Sequence, residues 1–269
     1  MSDKSILMIK EWIAAFFQAW EMLLDTPAPK NLAEAFATKK EVDSYKVLSL
    51  FPVIGAILGI GAYLIAWILV MFLGPPAAAI ISALALAIGF ELIASGKNIS
   101  LFASAVELRL GGASVLETLA EMNDSFQAKR NATGVIAIVC VFIVRALCFG
   151  FLIYFNHACW IITTMTLAYA FQAHLATINE LGTSEPILEV EAERYKIIPW
   201  CVAAGLVFLT GLTILPAVAV AFIITLFFAW LSNRYFDKLG GITGNAISIA
   251  GYKLEIILLL AGLIFLIRQ

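Results

Sequence analysis

Charge is the scarcest property of this chain. Only 13% of its 269 residues are charged, against roughly 25% in an average soluble domain. The formal net charge of −2 offers no basic face to a phosphate backbone, so nucleic acid is not an expected partner. Cysteine is sparse as well. Cys140, Cys148, Cys159 and Cys201 all sit in apolar runs without C-x2-C spacing, and they read as small buried apolar residues. There is no Walker loop, no H-E-x-x-H, no G-x-S-x-G and no pair of acids within one apolar run. These absences count against nucleotide hydrolysis, zinc proteolysis and serine hydrolysis by the familiar motifs. The opening MSDKSILMIKEW lacks a basic start, an apolar block and a small-residue cleavage site, so no signal peptide is expected.

What is abundant is apolar surface. Hydrophobic residues make up 62% of the chain, more than a single core absorbs, so the reading is an integral membrane protein whose first partner is the lipid bilayer. Seven runs are long enough, or nearly so, to cross ~30 Å of hydrocarbon as helices. They lie at 47–73, 76–95, 133–155, 158–178, 197–213, 215–232 and 253–267. Gly74-Pro75-Pro76, Asn156-His157 and the pair Gly211 and Pro216 separate successive runs, although 197–232 also reads as one long kinked helix. The predicted fold is all-α, a polytopic helix bundle of about seven transmembrane helices. It forms one membrane domain over 1–269, divided into a cytoplasmic or interfacial segment 1–45 and the bundle 46–267. Residues 5–24, with Trp12, Phe16, Phe17 and Trp20, read as an interfacial helix. Residues 99–127 read as a second interfacial element broken at Gly111-Gly112, and Ser184-Glu185-Pro186 as a helix start.

The basic residues orient this layout. Lys4, Lys10, Lys30, Lys39, Lys40 and Lys46 precede the first run. Lys97, Arg109, Lys129 and Arg130 follow the second, Arg194 and Lys196 follow the fourth, and Arg234, Lys238 and Lys253 follow the sixth. The three alternate loops hold none. The positive-inside rule then places the N-terminus in the cytoplasm and the C-terminus, with Arg268, outside.

Three groups of residues are candidates for chemistry. Arg145 lies near the middle of the third run, where a charge costs at least ~2.5–3.5 kcal/mol and demands a partner. Glu91, Gln172 and His174 lie at similar depth and suggest a polar pocket opening to the cytoplasm. Glu117, Glu121 and Asp124 recur at i, i+4 and i+7, which places three carboxylates on one helical face. That face is either solvated or, beside Glu91, a Mg²⁺ site. Gly240, Gly241, Thr243, Gly244 and Asn245 form a glycine-rich stretch. It suits either a tight helix crossing or a backbone cradle for an anion.

Taken in order, several segments resemble the cobalamin synthase family, the adenosylcobinamide-GDP ribazoletransferases. Thr26-Pro27-Ala28-Pro29 is similar to that family's N-terminal T-R-x-P-x-P, and Phe51-Pro52-Val53-Ile54-Gly55-Ala56-Ile57-Leu58-Gly59 to its F-P-x-x-G-x-x-x-G. Leu239-Gly240-Gly241-Ile242-Thr243-Gly244-Asn245 resembles its L-G-G-x-T-G-D, and Met122-Asn123-Asp124-Ser125 its M-x-D-S. The resemblance implies an inner-membrane protein of bacteria, and a reaction in which a ribazole attacks activated cobinamide-GDP and GMP leaves, with Mg²⁺ on the diphosphate.

The family's H-x-D-G-L-A-D-x-x-D-G is the point of departure. Here it reads Glu91-Leu92-Ile93-Ala94-Ser95-Gly96-Lys97-Asn98-Ile99-Ser100, so Ile93, Lys97 and Ser100 stand where the three Asp belong. Asn245 replaces the closing Asp of the glycine signature, Gln172 stands for an Arg, and Arg145 for a Lys. The implied function is a catalytically weak or inactive paralogue without a cofactor. It would bind a corrinoid or nucleotide precursor, or scaffold other membrane enzymes of cobalamin assembly. The alternatives are an active transferase with a relocated Mg²⁺ site at Glu91, Glu117, Glu121 and Asp124, and a small-molecule transporter.

Overall fold

The computed structural model describes residues 3–24, 42–114, 117–118, 131–181, 185–190, 192–233 and 241–266. These residues form an all-helical bundle. Its helices are α1 (Asp3–Leu24), α2 (Ser44–Leu73), α3 (Pro75–Ile93), α4 (Lys97–Leu110), α5 (Ala132–Tyr154), α6 (Cys159–Leu175), α7 (Ile198–Phe208), α8 (Ile214–Leu231) and α9 (Gly244–Leu266). A 3-10 turn, Glu193–Ile197, leads into α7.

Among the described residues, four helices are long and apolar enough to cross a membrane: α2, α3, α5 and α9. Large apolar side chains remain exposed along them, among them Trp67, Met71 and Phe72 on α2, Ile80 and Leu84 on α3, and Ile136 and Leu147 on α5. So much uncovered apolar surface suits contact with lipid and not with water. Cys140 on α5 and Cys201 on α7 are exposed, contrary to the expectation that every cysteine is buried; Cys148 alone is fully enclosed. The other expected runs form shorter helices. Residues 197–232 are divided into α7 and α8 by a turn at Gly211, whose φ is 75°. α6 is central and almost wholly buried, between α2, α7 and α9. A helix enclosed by protein on all sides needs no lipid-facing surface, which is why α6 accommodates Thr163, Thr164, Thr166, Gln172 and His174.

The most extensive helix pair is α2 against α6. A Cβ on Gly55 would lie 2.5 Å from the Met165 carbonyl oxygen, and one on Gly59 would lie 2.6 Å from the Ile162 Cα. The G-x-x-x-G spacing therefore lets two backbones meet, as small residues do in membrane bundles. α1 docks on the start of α2, where Lys46 Nζ donates to Glu11 Oε2 at 2.6 Å and pairs with Asp43 at 2.8 Å. Lys46, which precedes the first apolar run, is buried by this contact.

α3 and α4 act as one discontinuous element. Ser95 and Gly96 both adopt positive φ, 51° and 67°, and this breaks the helix after Ile93. On both sides of the break the chain runs antiparallel to α5. Ala83 faces Gly150, Glu91 faces Arg145, and Glu107 reaches Asn131 and Gly134. Glu91 is thus one turn before a break that lies alongside the middle of α5.

The helix start expected at Ser184-Glu185-Pro186 is not a helix in its described part. Asn179 and Pro186 form an antiparallel bridge, Glu180 N donates to Glu185 O, and Leu188 N to Ala176 O. Pairing with the segment after α6 consumes the backbone groups that a helix would have used.

Candidate functional site

The buried charge of α5 organises the site. Arg145 is 4% exposed. Its Nη1 donates to Glu91 Oε1 at 2.6 Å and its Nε to Glu255 Oε1 at 2.7 Å, with Nη2 2.7 Å from the same oxygen. Tyr252 Oη donates to Glu91 Oε1 at 3.0 Å. The rings of Phe90, Tyr252 and Phe149 lie 5.0, 5.3 and 5.6 Å from the guanidinium carbon, so π faces enclose the cation where carboxylates do not. The cluster draws on three helices: Glu91 from α3, Arg145 from α5, and Tyr252 and Glu255 from α9.

A planar guanidinium presents five donors in a fixed fork, so one side chain can fasten two carboxylates at set angles. Glu91 Oε2 is buried without a hydrogen-bond partner, which leaves one acceptor uncommitted beside the helix break.

Sequence reasoning pairs Arg145 with Glu91 but misses Glu255 and Tyr252. It begins the last span at 253, so Glu255 counts as a boundary residue. α9 instead begins at Gly244, with Ala246, Ile247, Ile249 and Ala250 already buried, and Glu255 falls near its middle. The available signal is the five-donor fork of Arg145, which a single carboxylate leaves partly unfilled.

Gln172 and His174, expected beside Arg145, bond to neither Arg145 nor Glu91 among the described contacts. The Gln172 amide lies over Gly251 of α9, where any larger residue would displace it. His174 turns away to Trp200 and Phe228, with ring centroids 6.1 and 5.2 Å off.

The glycine stretch is bound to protein backbone. A Cβ on Gly241 would lie 2.8 Å from Asn179 O, Ile242 N donates to Asn179 O at 3.0 Å, and Leu181 N donates to Ile242 O at 3.2 Å. Thr243 Oγ1 accepts from Ala246 N at 3.2 Å, and Gly244 and Asn245 form the first turn of α9. The segment ties the end of α6 to the start of α9, and the N–H of Ile242 is already taken. Gly240 lies outside the described residues.

The proposed acid face is described only at Glu117. Ser114 N donates to Glu117 Oε2 at 2.7 Å while Glu117 N donates to Ser114 Oγ at 3.2 Å, a reciprocal capping box that occupies the carboxylate. Glu121, Asp124 and Ser125 lie outside the described residues. Among the described residues no three His, Cys, Asp or Glu side chains come together as a metal site would require.

The box has a pH signature. The Ser114 backbone N–H, and then its side chain, hold the Glu117 carboxyl below the ordinary carboxylate range. A depressed folded-state value means that the contribution is present above the unfolded value and is lost as pH falls through the folded one. Hydrogen-exchange protection at Ser114 and Glu117 is expected to fall on acidification through that window. In a Glu117→Gln variant it should stay flat.

No family model, no curated protein and no solved structure matches this chain. Its function is therefore read from its own residues and from the resemblance they carry.

Proposed function

We propose that this chain is a seven-span membrane protein of the cobalamin synthase type, without transferase activity, that binds a corrinoid or nucleotide precursor or scaffolds partner enzymes of cobalamin assembly. In this reading the end that carries Lys46, Arg109 and Lys196 faces the cytoplasm of a bacterial inner membrane. The observation that carries it is the engagement of Glu91. That residue stands where the resembling family has the first residue of its acidic motif, and its Oε1 is held by Arg145 and Tyr252. Glu91, the one acid in this segment, is thereby committed to a fixed organic cation. Lys97, where an Asp would belong, opens α4 just past the break and adds a further positive charge to the motif.

The test is direct. Purified protein given cobinamide-GDP, ribazole phosphate and Mg²⁺ is expected to release no GMP above a protein-free control. Steady release, abolished by Glu91→Gln, would instead establish the active transferase.

A second reading, small-molecule transport, draws support from the α3–α4 break beside Glu91, since interrupted helices with an ionisable residue recur at transport sites. Gradient-driven uptake into liposomes would favour it.

A further inference from the structure

The Arg145 cluster holds more acid than base. Two acids, Glu91 and Glu255, meet one guanidinium, and Arg145 is the only cation paired with either of them among the described residues. Its members are enclosed: Arg145 is 4% exposed and Glu255 5%. Glu255 lies about 16 Å along α9 from Gly244, at ~1.5 Å per residue, which is about half of a ~30 Å hydrocarbon layer. A buried charge without a counter-charge is so costly that the group takes up a proton instead.

The surroundings supply no second cation. Cys148 of α5 and Tyr169 of α6 lie within electrostatic reach of Glu255, and a thiol and a phenol carry no positive charge. His174 of α6 turns to Trp200 and Phe228. Tyr252 of α9 donates to Glu91. α4 presents Phe102 to Tyr252, and Lys253 of α9 lies 5.9 Å from the centre of that Phe102 ring without pairing with either acid. α8 has no titratable side chain between Ile214 and Leu231.

The geometry leaves room for a proton on the acids. An ionised carboxylate facing a guanidinium commonly accepts two parallel bonds, one on each oxygen. Neither acid does so here. Nε and Nη2 of Arg145 converge on Glu255 Oε1 at 2.7 Å each, and Nη1 reaches only Oε1 of Glu91. Glu91 Oε2 is buried with no partner at all. Each acid thus accepts from Arg145 through one oxygen, as a carboxylic acid does through its carbonyl, and leaves the other uncommitted. A proton fills no volume, so close packing does not exclude it.

We propose that the cluster is a membrane-embedded binding site for one proton, held by the Glu91–Glu255 pair, with Arg145 neutralising the one charge that remains. The proton belongs to the pair and not to either acid alone. Intramembrane carboxyl groups that take up and release protons are the working parts of proton relays. The proposal depends only on the charge of the cluster, so it stands apart from both the transferase and the transport readings.

The test is infrared spectroscopy of the full chain in lipid nanodiscs at about pH 7, where exposed carboxyl groups are ionised. One protonated carboxyl per chain is expected, seen as a C=O band that shifts in deuterated water and again when the protein is made with isotope-labelled glutamate. This measurement needs no variant. Glu255→Gln should abolish the band, because Glu91 then has Arg145 to itself and ionises. Glu91→Gln should abolish it for the same reason, with Glu255 now the paired anion. Glu193→Gln alters an exposed side chain and should leave the band in place. Size-exclusion profiles and circular dichroism verify that the variants fold. Absence of the band from the unmodified chain would overturn the proposal, since both acids would then be ionised. Survival of the band in either Glu91→Gln or Glu255→Gln would overturn it too, because the proton would then not depend on two acids sharing one guanidinium.

Discussion

Replacement of Arg145 by Met is expected to destabilise the bundle by about 3–5 kcal/mol, the usual result of removing one partner from a buried ion pair. The loss is larger than a packing defect because Glu91 and Glu255 would be left facing each other without the cation that both contact. Glu255→Gln should cost less, since Arg145 keeps Glu91 and an amide oxygen still accepts. The most informative protein is the triple variant, Arg145→Met with Glu91→Gln and Glu255→Gln. Buried ionic clusters replaced as a unit by neutral groups are often no less stable than the original, so the triple variant should recover most of the stability. Thermal unfolding in one detergent, read by loss of the monodisperse peak, measures all three. A triple variant as unstable as Arg145→Met would show that the guanidinium acts through packing on Phe90 and Phe149 and not through charge.

The second large effect concerns the α2–α6 crossing. Gly55→Ala and Gly59→Ala are each expected to cost about 1–3 kcal/mol, as overpacking does, and the double variant to fail to give a stable monodisperse protein. The new methyl group meets main-chain atoms of Met165 and Ile162, and no side-chain rotation can make room. Gly61 is the matched control. Nothing lies within 4 Å of a Cβ there, so Gly61→Ala should be neutral or add roughly 0.5–1 kcal/mol through lost backbone entropy in the unfolded chain. Unfolding of the three single variants in mixed micelles separates close approach from helix propensity. A Gly61→Ala penalty equal to the other two would refute the crossing as the cause.

Gly55 and Gly59 are visible in the sequence as a spaced pair within an apolar run, but the partner helix is not, because the spacing specifies a smooth helix face and not what lies on it. Arg145 is visible as a costly charge and Glu91 as its nearest acid by depth. Glu255 is hidden by a helix boundary that hydropathy places too late. The start of α9 carries Gly244, Asn245, Ser248 and Gly251, which lower local hydropathy although protein, not water, surrounds much of that turn. The run 158–178 that forms α6 is legible in the sequence, but hydropathy does not show that protein encloses almost all of it.

By itself, the amino-acid order determined the helical class, the membrane setting and the breaks at Gly74-Pro75 and Asn156-His157, because these depend on local backbone chemistry and on total apolar surface. Tertiary packing alone decided that Glu255 and Tyr252 join Arg145, that Gly241 abuts backbone, and that His174 packs against Trp200 and Phe228. Those outcomes depend on which helix faces meet across the bundle, and residues as far apart in the chain as Arg145 and Glu255 leave no periodic trace of one another along it.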